Sequence, residues 1–326
     1  MTTPEETAQL SKSALRSSAK YNSVDATTMH ERLRDTSMSM RSVDKAVELS
    51  DTITQWTVVL QSLKGKDKAI EEGRKFFTAL DVLGKNVDPK EVRGLFDGYI
   101  KALGVEGADM DLGGVLQMGR RMKSAGGTVS NRFLMTTGVG LGRDMGDERA
   151  GNALSMMQQQ EVQATKQAKE FGQKNGLRGK DGKFVDRSLL QSDPDMWAWK
   201  NVTAAMKRAK LDPDKNEDVN TFLQSAYSNS SARDVVSKLM TQKEQYQGKA
   251  AQFEKSPGLA AAGKISAMDP FVAYEGVFAQ LRNIAAQAPL MDAAAASVSK
   301  LSGAIGNFAK DFSEDDTAGK IGKGLG

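Results

Sequence analysis

The chain has 326 residues, with 45 Lys and Arg against 41 Asp and Glu, so its formal net charge is only +4. This length is enough for a sizeable core in two or three domains, while the nearly balanced charge gives no sign of an extended nucleic-acid surface. Cysteine is absent and His30 is the single histidine, which excludes a disulfide scaffold, a thiolate zinc site and a cysteine nucleophile.

The N-terminal part is predicted to begin as an arm and then become helical. Residues 1–41 are rich in Ser, Thr and Met with weak periodicity, which indicates a flexible or partner-ordered N-terminal arm. From Ser42 onward apolar residues recur at helical spacing, and a second such pattern runs from Lys68 to Leu83. Asp88-Pro89 is typical of a capped helix start, and the apolar face of that helix is predicted to comprise Val92, Leu95, Phe96, Tyr99, Ile100 and Leu103.

The central stretch, Met110 to Gln159, contains three short apolar segments between glycine-marked corners. Ser130 is the predicted cap of a short helix, and a longer helix is predicted from Asp147 to Gln160. We expect the rest of the chain to pack against this stretch. Residues 42–160 are therefore predicted to form one helical domain.

Residues 161–191 are predicted to be a connector between two helical domains. Their first part is polar almost all round, which is typical of a solvated helix. The pair Asp181-Gly182, flanked by Lys180 and Lys183, predicts a tight β-hairpin turn. This turn is the single candidate for strand structure in the sequence.

A second helical domain is predicted over residues 192–311. The run Ser192-Asp-Pro-Asp195 is typical of a capped helix start, and a longer amphipathic helix is predicted from Ser231 to Lys255. Residues 312–326 are charged and then Gly-rich, which predicts a disordered tail. Two further helices are predicted to begin at Asp269-Pro270 and Pro289. The fold class predicted is all-α, an antiparallel helical bundle-like array of short helices with one small β-hairpin.

One segment imitates a calcium loop. Asp212-Pro-Asp214-Lys-Asn216 has the first three ligand positions, but Glu217 stands where the loop needs Gly and Leu223 where it needs a bidentate Glu. We therefore interpret it as a turn followed by a helix cap.

The glycines of the central stretch resemble a phosphate-binding loop only superficially. Arg143 and Asp144 occupy positions where such a loop needs other residues, so Gly138, Gly140, Gly142 and Gly146 are interpreted as helix corners. His30 lies in a polar segment without a nucleophile nearby and is interpreted as a solvated residue.

Two basic clusters fall at predicted helix C-termini, Arg120-Arg121-Met-Lys123 and Lys207-Arg208-Ala-Lys210. The helix dipole favours cations there, and nucleic-acid contact is the weaker alternative. The sequence predicts no catalytic, cofactor-binding or metal-binding residue and no specific nucleic-acid site. It also contains no run long and apolar enough for a membrane segment.

Several of these stretches resemble a known family. The runs Gly114–Gly126, Ser130–Met135 and Arg149–Leu154 look like the helical region of tail tape measure proteins from long-tailed phages and prophages. Downstream runs have the same character, namely Asp193–Trp197, Ser228–Val235, Pro257–Ala260 and Asp269–Val272.

The resemblance implies a protein that occupies the tail tube during assembly, fixes tail length and leaves with the DNA on ejection. Its implied partners are tail tube subunits, tail assembly chaperones and tail tip proteins, with self-association also possible. Its implied locations are the host cytoplasm during assembly and then the virion tail. A wholly helical chain of this size would span only about 490 Å, and the apolar segments expected of the family are absent. We therefore expect either a fragment or a compact module.

The leading hypothesis is a structural phage tail component without enzymatic activity. The first alternative is a helical protein–protein adaptor that buries an amphipathic helix of a partner in a groove. The second is a tail-associated cell-wall hydrolase, because tail components sometimes carry such domains.

Overall fold

The structure is a computed structural model in which helices make up about 80% of the residues. No β-sheet occurs among the described residues, which confirms the all-α class. The structure describes residues 3–21, 24, 26–122 and 126–267. Its first helices are α1 (Pro4–Lys20), α2 (Ala26–Met40), α3 (Val43–Glu48), α4 (Ser50–Lys64), α5 (Lys66–Val82), α6 (Pro89–Glu106), α7 (Leu112–Met122), α8 (Asn131–Phe133) and α9 (Val139–Met145). They are followed by α10 (Asp147–Gln163), α11 (Lys166–Lys174), α12 (Arg187–Ser192), α13 (Pro194–Trp197), α14 (Thr203–Arg208), α15 (Asn216–Ala226), α16 (Ser230–Thr241), α17 (Lys243–Lys255) and α18 (Ala261–Ala267).

Two short π-helical segments join neighbouring helices. Leu134–Gly138 lies between α8 and α9, and Ala198–Val202 lies between α13 and α14. A 3₁₀ turn, Gly258–Ala260, lies at the predicted break at Pro257-Gly258.

The N-terminal segment is helical where its composition predicts an arm. Helices α1 and α2 pack against each other, and Leu10 and Met29 are buried. Helix α2 also buries Thr36, whose Oγ1 donates to Arg32 O at 2.7 Å. A small hydroxyl side chain that bonds to its own helix can enter a core, and hydropathy periodicity does not register it.

Several predicted helix ends are confirmed. The carboxylate of Asp88 accepts from Lys90 N at 2.9 Å, and Ser130 Oγ accepts from Phe133 N at 3.0 Å. Gly65 ends α4 with a φ of 80°, a conformation that favours glycine. All six residues predicted for the apolar face of α6 are buried.

Two predicted helices are each divided in the structure. The helix expected from Ser42 stops at Glu48 and restarts at Ser50, and the one expected from Ser231 to Lys255 is interrupted at Gln242. Apolar spacing continues through both breaks, so periodicity alone does not reveal them.

The Asp181-Gly182 turn forms, but its flanks do not become strands. Gly182 N donates to Gly179 O at 2.9 Å, and Gly179 N donates to Lys183 O at 2.8 Å. Beyond the turn, one isolated antiparallel bridge pairs Arg178 with Phe184.

Aromatic side chains form two buried clusters. In the first, Phe76 stacks on Phe96 with ring centroids 4.3 Å apart, and Trp56 lies 5.2 Å from Phe96. In the second, Phe184 lies 5.1 Å from Trp197. The first cluster joins α4, α5 and α6, and the second joins the turn region to α13.

The predicted domain borders stay predictions. Helix α10 packs against α16 across the predicted connector at residues 161–191, and all described residues fall within one compact unit. The predicted helices at Asp269-Pro270 and Pro289, and the predicted tail at 312–326, lie outside the described residues.

Helix α10 crosses α7 at Gly151, where the two backbones come very close. A Cβ at Gly151 would lie 2.3 Å from Met118 O and 2.8 Å from Arg121 Cβ. By contrast, a Cβ at Gly248 within α17 would meet nothing within 4 Å.

We therefore expect Gly151→Ala to lower the free energy of unfolding by roughly 1–3 kcal/mol, because the helices must move apart. The matched control Gly248→Ala should raise it by about 0.5–1 kcal/mol through helix propensity. Urea titrations followed by circular dichroism measure both. Equal stability of Gly151→Ala and the parent chain would contradict the close crossing.

Candidate functional site

The best-connected polar cluster of the described residues is centred on Arg132. Its Nε and Nη2 donate to Asp193 Oδ1 at 2.9 and 2.8 Å. Its Nη1 and Nη2 donate to Asp195 Oδ2 and Oδ1 at 3.0 and 2.5 Å. The guanidinium is thus held between two carboxylates that lie more than 60 residues away in the chain. We call this cluster the Arg132 clamp.

Neighbouring groups complete the Arg132 clamp. Ser130 Oγ donates to Asp193 Oδ1 and Thr137 Oγ1 donates to Asp195 Oδ2, both at 2.6 Å. Met196 N donates to Asp195 Oδ1 at 2.7 Å. Asp195 is fully buried, and these bonds supply the donors that a buried carboxylate requires.

The clamp controls the protonation of its own members. Burial alone would raise the pKa of Asp193, but hydrogen bonds from Ser130 and Arg132 and the Arg132 charge outweigh burial and hold that pKa below its usual value of 3.8. Burial would likewise lower the pKa of Arg132, and the bonds and charge of Asp195 and Asp193 raise it instead. Asp193 and Arg132 are therefore both charged at neutral pH.

Both sides of the clamp adjoin a π-helical segment. Arg132 lies two residues before one segment and Thr137 lies within it, while Asp195 lies three residues before the other. A π-helical turn accommodates an extra residue and redirects the side chains after it, and such turns are frequent at functional sites. Of the clamp residues, Thr137 lies within such a segment, and its Oγ1 donates to Asp195 Oδ2.

A second buried cluster joins α4, α5 and α6. Lys64 Nζ lies 3.5 Å from Glu72 Oε1 and 3.3 Å from Tyr99 Oη, and Tyr99 Oη donates to Glu72 Oε2. Lys64 also donates to Met110 O at 2.5 Å. Burial first, and the Glu72 charge second, raise the pKa of Tyr99. Each side chain bonds to the others, so the cluster is a helix-to-helix connection.

A third cluster is centred on Glu106, whose side chain is 3% exposed. Arg143 Nη1 lies 2.7 Å from Glu106 Oε2, and Lys249 Nζ lies 2.8 Å from Oε1. Nearby, Tyr246 Oη donates to Asp144 Oδ2 at 2.7 Å. These bonds connect the end of α6 with α9 and α17.

The turn at Gly179–Lys183 is fixed by a buried arginine. Arg178 Nη1 donates to Gly182 O at 2.9 Å and Nη2 donates to Gln160 O at 3.1 Å. Its Cζ lies 3.8 Å from the centroid of the Phe184 ring. The side chain of Arg178 thus connects the predicted turn to the end of α10. Arg178 lies outside the Lys180–Lys183 sequence from which the turn was predicted.

The calcium-like segment folds as a turn before a helix. Asp214 N donates to Asp212 Oδ1 at 3.0 Å, and Asp212 N donates to Asp218 Oδ2 at 2.8 Å. Helix α15 begins at Asn216 itself, and Lys215 precedes it without a side-chain cap. Within the described ranges, no group of three or more His, Cys, Asp or Glu side chains could hold a metal ion.

Gly138, Gly140 and Gly142 lie within helical segments, where they allow close packing, so the predicted helix corner is correct for Gly146 and wrong for these three. A Cβ at Gly140 would lie 2.7 Å from Tyr246 Cε1, and one at Gly142 would lie 2.2 Å from Asp147 Oδ1. Gly146 alone among them has a positive φ, 85°, and it precedes α10. The remaining candidate, His30, is half-buried with Nδ1 3.1 Å from Ser11 Oγ.

The two basic clusters differ in their partners. Arg121 pairs with Glu148 at 2.7 Å on the surface, and Lys123 lies outside the described residues. Arg208 Nη1 donates to Asn175 O at 3.0 Å at the end of α14. Both clusters therefore contribute contacts between neighbouring elements.

Known proteins give no further guide to the site. No protein family, curated protein or solved structure was found to match the chain. In the part of the chain that the structure describes, no helix combines the length and apolar character that a membrane crossing requires.

Sequence reasoning missed the Arg132 clamp because its signal is not local. The Ser192–Asp195 pattern indicates a helix cap, but the carboxylate of Asp193 bonds to Ser130 and Arg132 and makes no cap bond. Its partners lie 61–63 positions earlier. No periodicity or spacing rule connects positions so far apart.

Removing one buried carboxylate tests the clamp. Asp195→Asn should lower the free energy of unfolding by about 3–5 kcal/mol, because it leaves Arg132 incompletely paired. Asp234 pairs with Arg149 at 2.8 Å on the surface, with side chains 47% and 68% exposed, so Asp234→Asn is the matched control. It should cost less than about 1 kcal/mol. Urea unfolding measures both, and similar losses would show that the clamp contributes little.

Acid should weaken the clamp. The pKa of Asp193 is lower in the folded chain than its usual value of 3.8. The charged Asp193 carboxylate therefore stabilises the fold above pH 3.8, and this stabilisation is lost as the pH falls through the folded-state pKa. The parent chain should lose stability in this acid range more steeply than Asp193→Asn, as measured by urea unfolding at a series of pH values. Parallel curves would contradict the prediction.

Asp147 provides a control of opposite sign. Burial first, and the Asp111 charge second, raise the pKa of Asp147. A raised carboxyl pKa favours the folded state at low pH and costs stability once the pH has risen through it. Asp147→Asn should therefore increase stability at neutral pH, whereas Asp193→Asn should decrease it.

Proposed function

We propose that this chain is a structural, non-enzymatic component of a phage tail or of a prophage-derived tail particle, similar to a tape measure protein. In this role it takes part in setting tail length, in organising tail tube assembly and in DNA ejection. Its proposed partners are tail tube subunits, tail assembly chaperones and tail tip proteins. It would be made in the host cytoplasm and then reside in the virion tail.

The supporting observation is that two of the stretches resembling tape measure proteins bond to each other in the core. Ser130–Met135 carries Arg132 of the clamp, and Asp193–Trp197 carries both of its carboxylates. The charged side chains of these stretches thus join helices to one another. This favours a role in architecture.

We also propose that the helices form an antiparallel bundle-like array. Such an array would be a folded module of a tape-measure-like protein. Each residue of this module would then add less to the tail length than the roughly 1.5 Å by which a residue lengthens a continuous helix. The clamp favours this arrangement because it joins positions more than 60 residues apart.

A deletion in the producing strain tests the role. Removal of the codons for residues 43–267 should abolish tails or shorten them by less than about 340 Å, the length of 225 residues of extended helix. Electron microscopy of induced particles measures tail length, and mass spectrometry of purified particles should detect the chain. Asp195→Asn should reduce the yield of full-length tails, and Asp234→Asn should not.

Unchanged tails together with particles that lack the chain would contradict the proposal. Stoichiometric co-purification of a partner unrelated to tails would then support the adaptor alternative. Clearing of a peptidoglycan suspension by the purified chain would support the hydrolase alternative.

A further inference from the structure

Arg32, on α2, is a buried cation whose bonds go to backbone oxygens. The residue is 3% exposed, Nη1 donates to Ile70 O at 3.2 Å and Nη2 donates to Ala69 O at 3.0 Å. Within the described residues, no carboxylate forms an ion pair or hydrogen bond with it. Asp35 and Glu31 act on it through their charges alone. Burial lowers the pKa of Arg32, as expected for a cation taken out of water without a bonded anion.

Helix α5 is shaped to admit this guanidinium. A Cβ at Gly73 would lie 2.1 Å from Arg32 Nη1 and 2.6 Å from Cζ. Only glycine leaves room for the group at this crossing of α2 and α5. The guanidinium is therefore held in one place between the two helices.

A cavity of about 160 Å³ adjoins Arg32. Arg34 and Arg74 line it together with Arg32, and the wall is completed by Thr28, Glu31, Asp35 and Ile70. Asp35 Oδ1 lies 3.8 Å from Arg34 Nη2, so Arg34 partly neutralises it. The charges of the lining residues sum to +1, and Arg32 carries a positive charge that no carboxylate contacts.

We propose that this cavity binds a single phosphate group. Planar guanidinium groups donate paired hydrogen bonds to phosphate oxygens, and the charge-assisted bonds would stabilise Arg32 in its buried position. The cavity is smaller than the roughly 300–1,000 Å³ of sites that enclose drug-sized ligands. Its occupant is therefore free phosphate or a terminal phosphate monoester, and a phosphodiester inside a nucleic-acid strand is too large to enter.

Calorimetric titration of inorganic phosphate into the full chain at constant ionic strength tests the proposal. We expect saturable binding, no response to chloride, and a rise in thermal midpoint with phosphate concentration. Arg74→Gln should weaken binding about tenfold or more, and Asp35→Asn should strengthen it several-fold by removing a like charge. Arg120 is an exposed arginine on α7 outside the cavity, so binding by Arg120→Gln should equal that of the parent chain.

Further variants and probes keep the test decisive. Arg32→Lys retains the charge but loses the paired geometry, so it should bind phosphate more weakly. Arg74→Gln remains informative if Arg32→Lys does not fold, because Arg74 is exposed. A short single-stranded oligonucleotide without terminal phosphates should not bind in competition with phosphate. Absence of saturable phosphate binding, equal affinity of Arg74→Gln, or competition by that oligonucleotide would overturn the proposal.

Discussion

The bonding of Arg132 to Asp193 and Asp195 connects the central helices to the region after the turn. Desolvating one cation and two carboxylates is costly, and the cost is offset only if each oxygen and each N–H finds a partner. Ser130, Thr137 and the backbone of Met196 supply those partners. Removing one member therefore leaves the others buried and underbonded, so the cluster functions as a unit.

Other buried charged side chains in the described residues also bond to partners on neighbouring elements. Lys64 joins Glu72 and Tyr99, and Glu106 pairs with Arg143 and Lys249. Arg178 donates to one backbone oxygen in the turn and to another at the end of α10. Such groups add geometric specificity to apolar packing, because hydrogen bonds require defined distances and directions. Glycines at the crossings complement them, since they let backbones and charged groups approach where a Cβ would collide.

Local signals in the sequence predicted much of the helical structure. The caps at Asp88 and Ser130, the stop at Gly65 and the apolar face of α6 each depend on residues a few positions apart. The breaks at Leu49 and Gln242 escaped prediction because the apolar spacing continues through them. The helical N-terminus escaped because its core includes hydroxyl side chains. The Arg132 clamp could not be predicted, since pairing across more than 60 positions is set by tertiary packing.

The turn at Gly179–Lys183 lies in the chain between the two sides of the Arg132 clamp. Lys180 is exposed at its tip, where a protease such as trypsin can reach the backbone. A cut there would separate the polypeptide that carries Arg132 from the one that carries Asp193 and Asp195. The bonds from Arg132 to Asp193 and Asp195 would then join the two fragments without a covalent link.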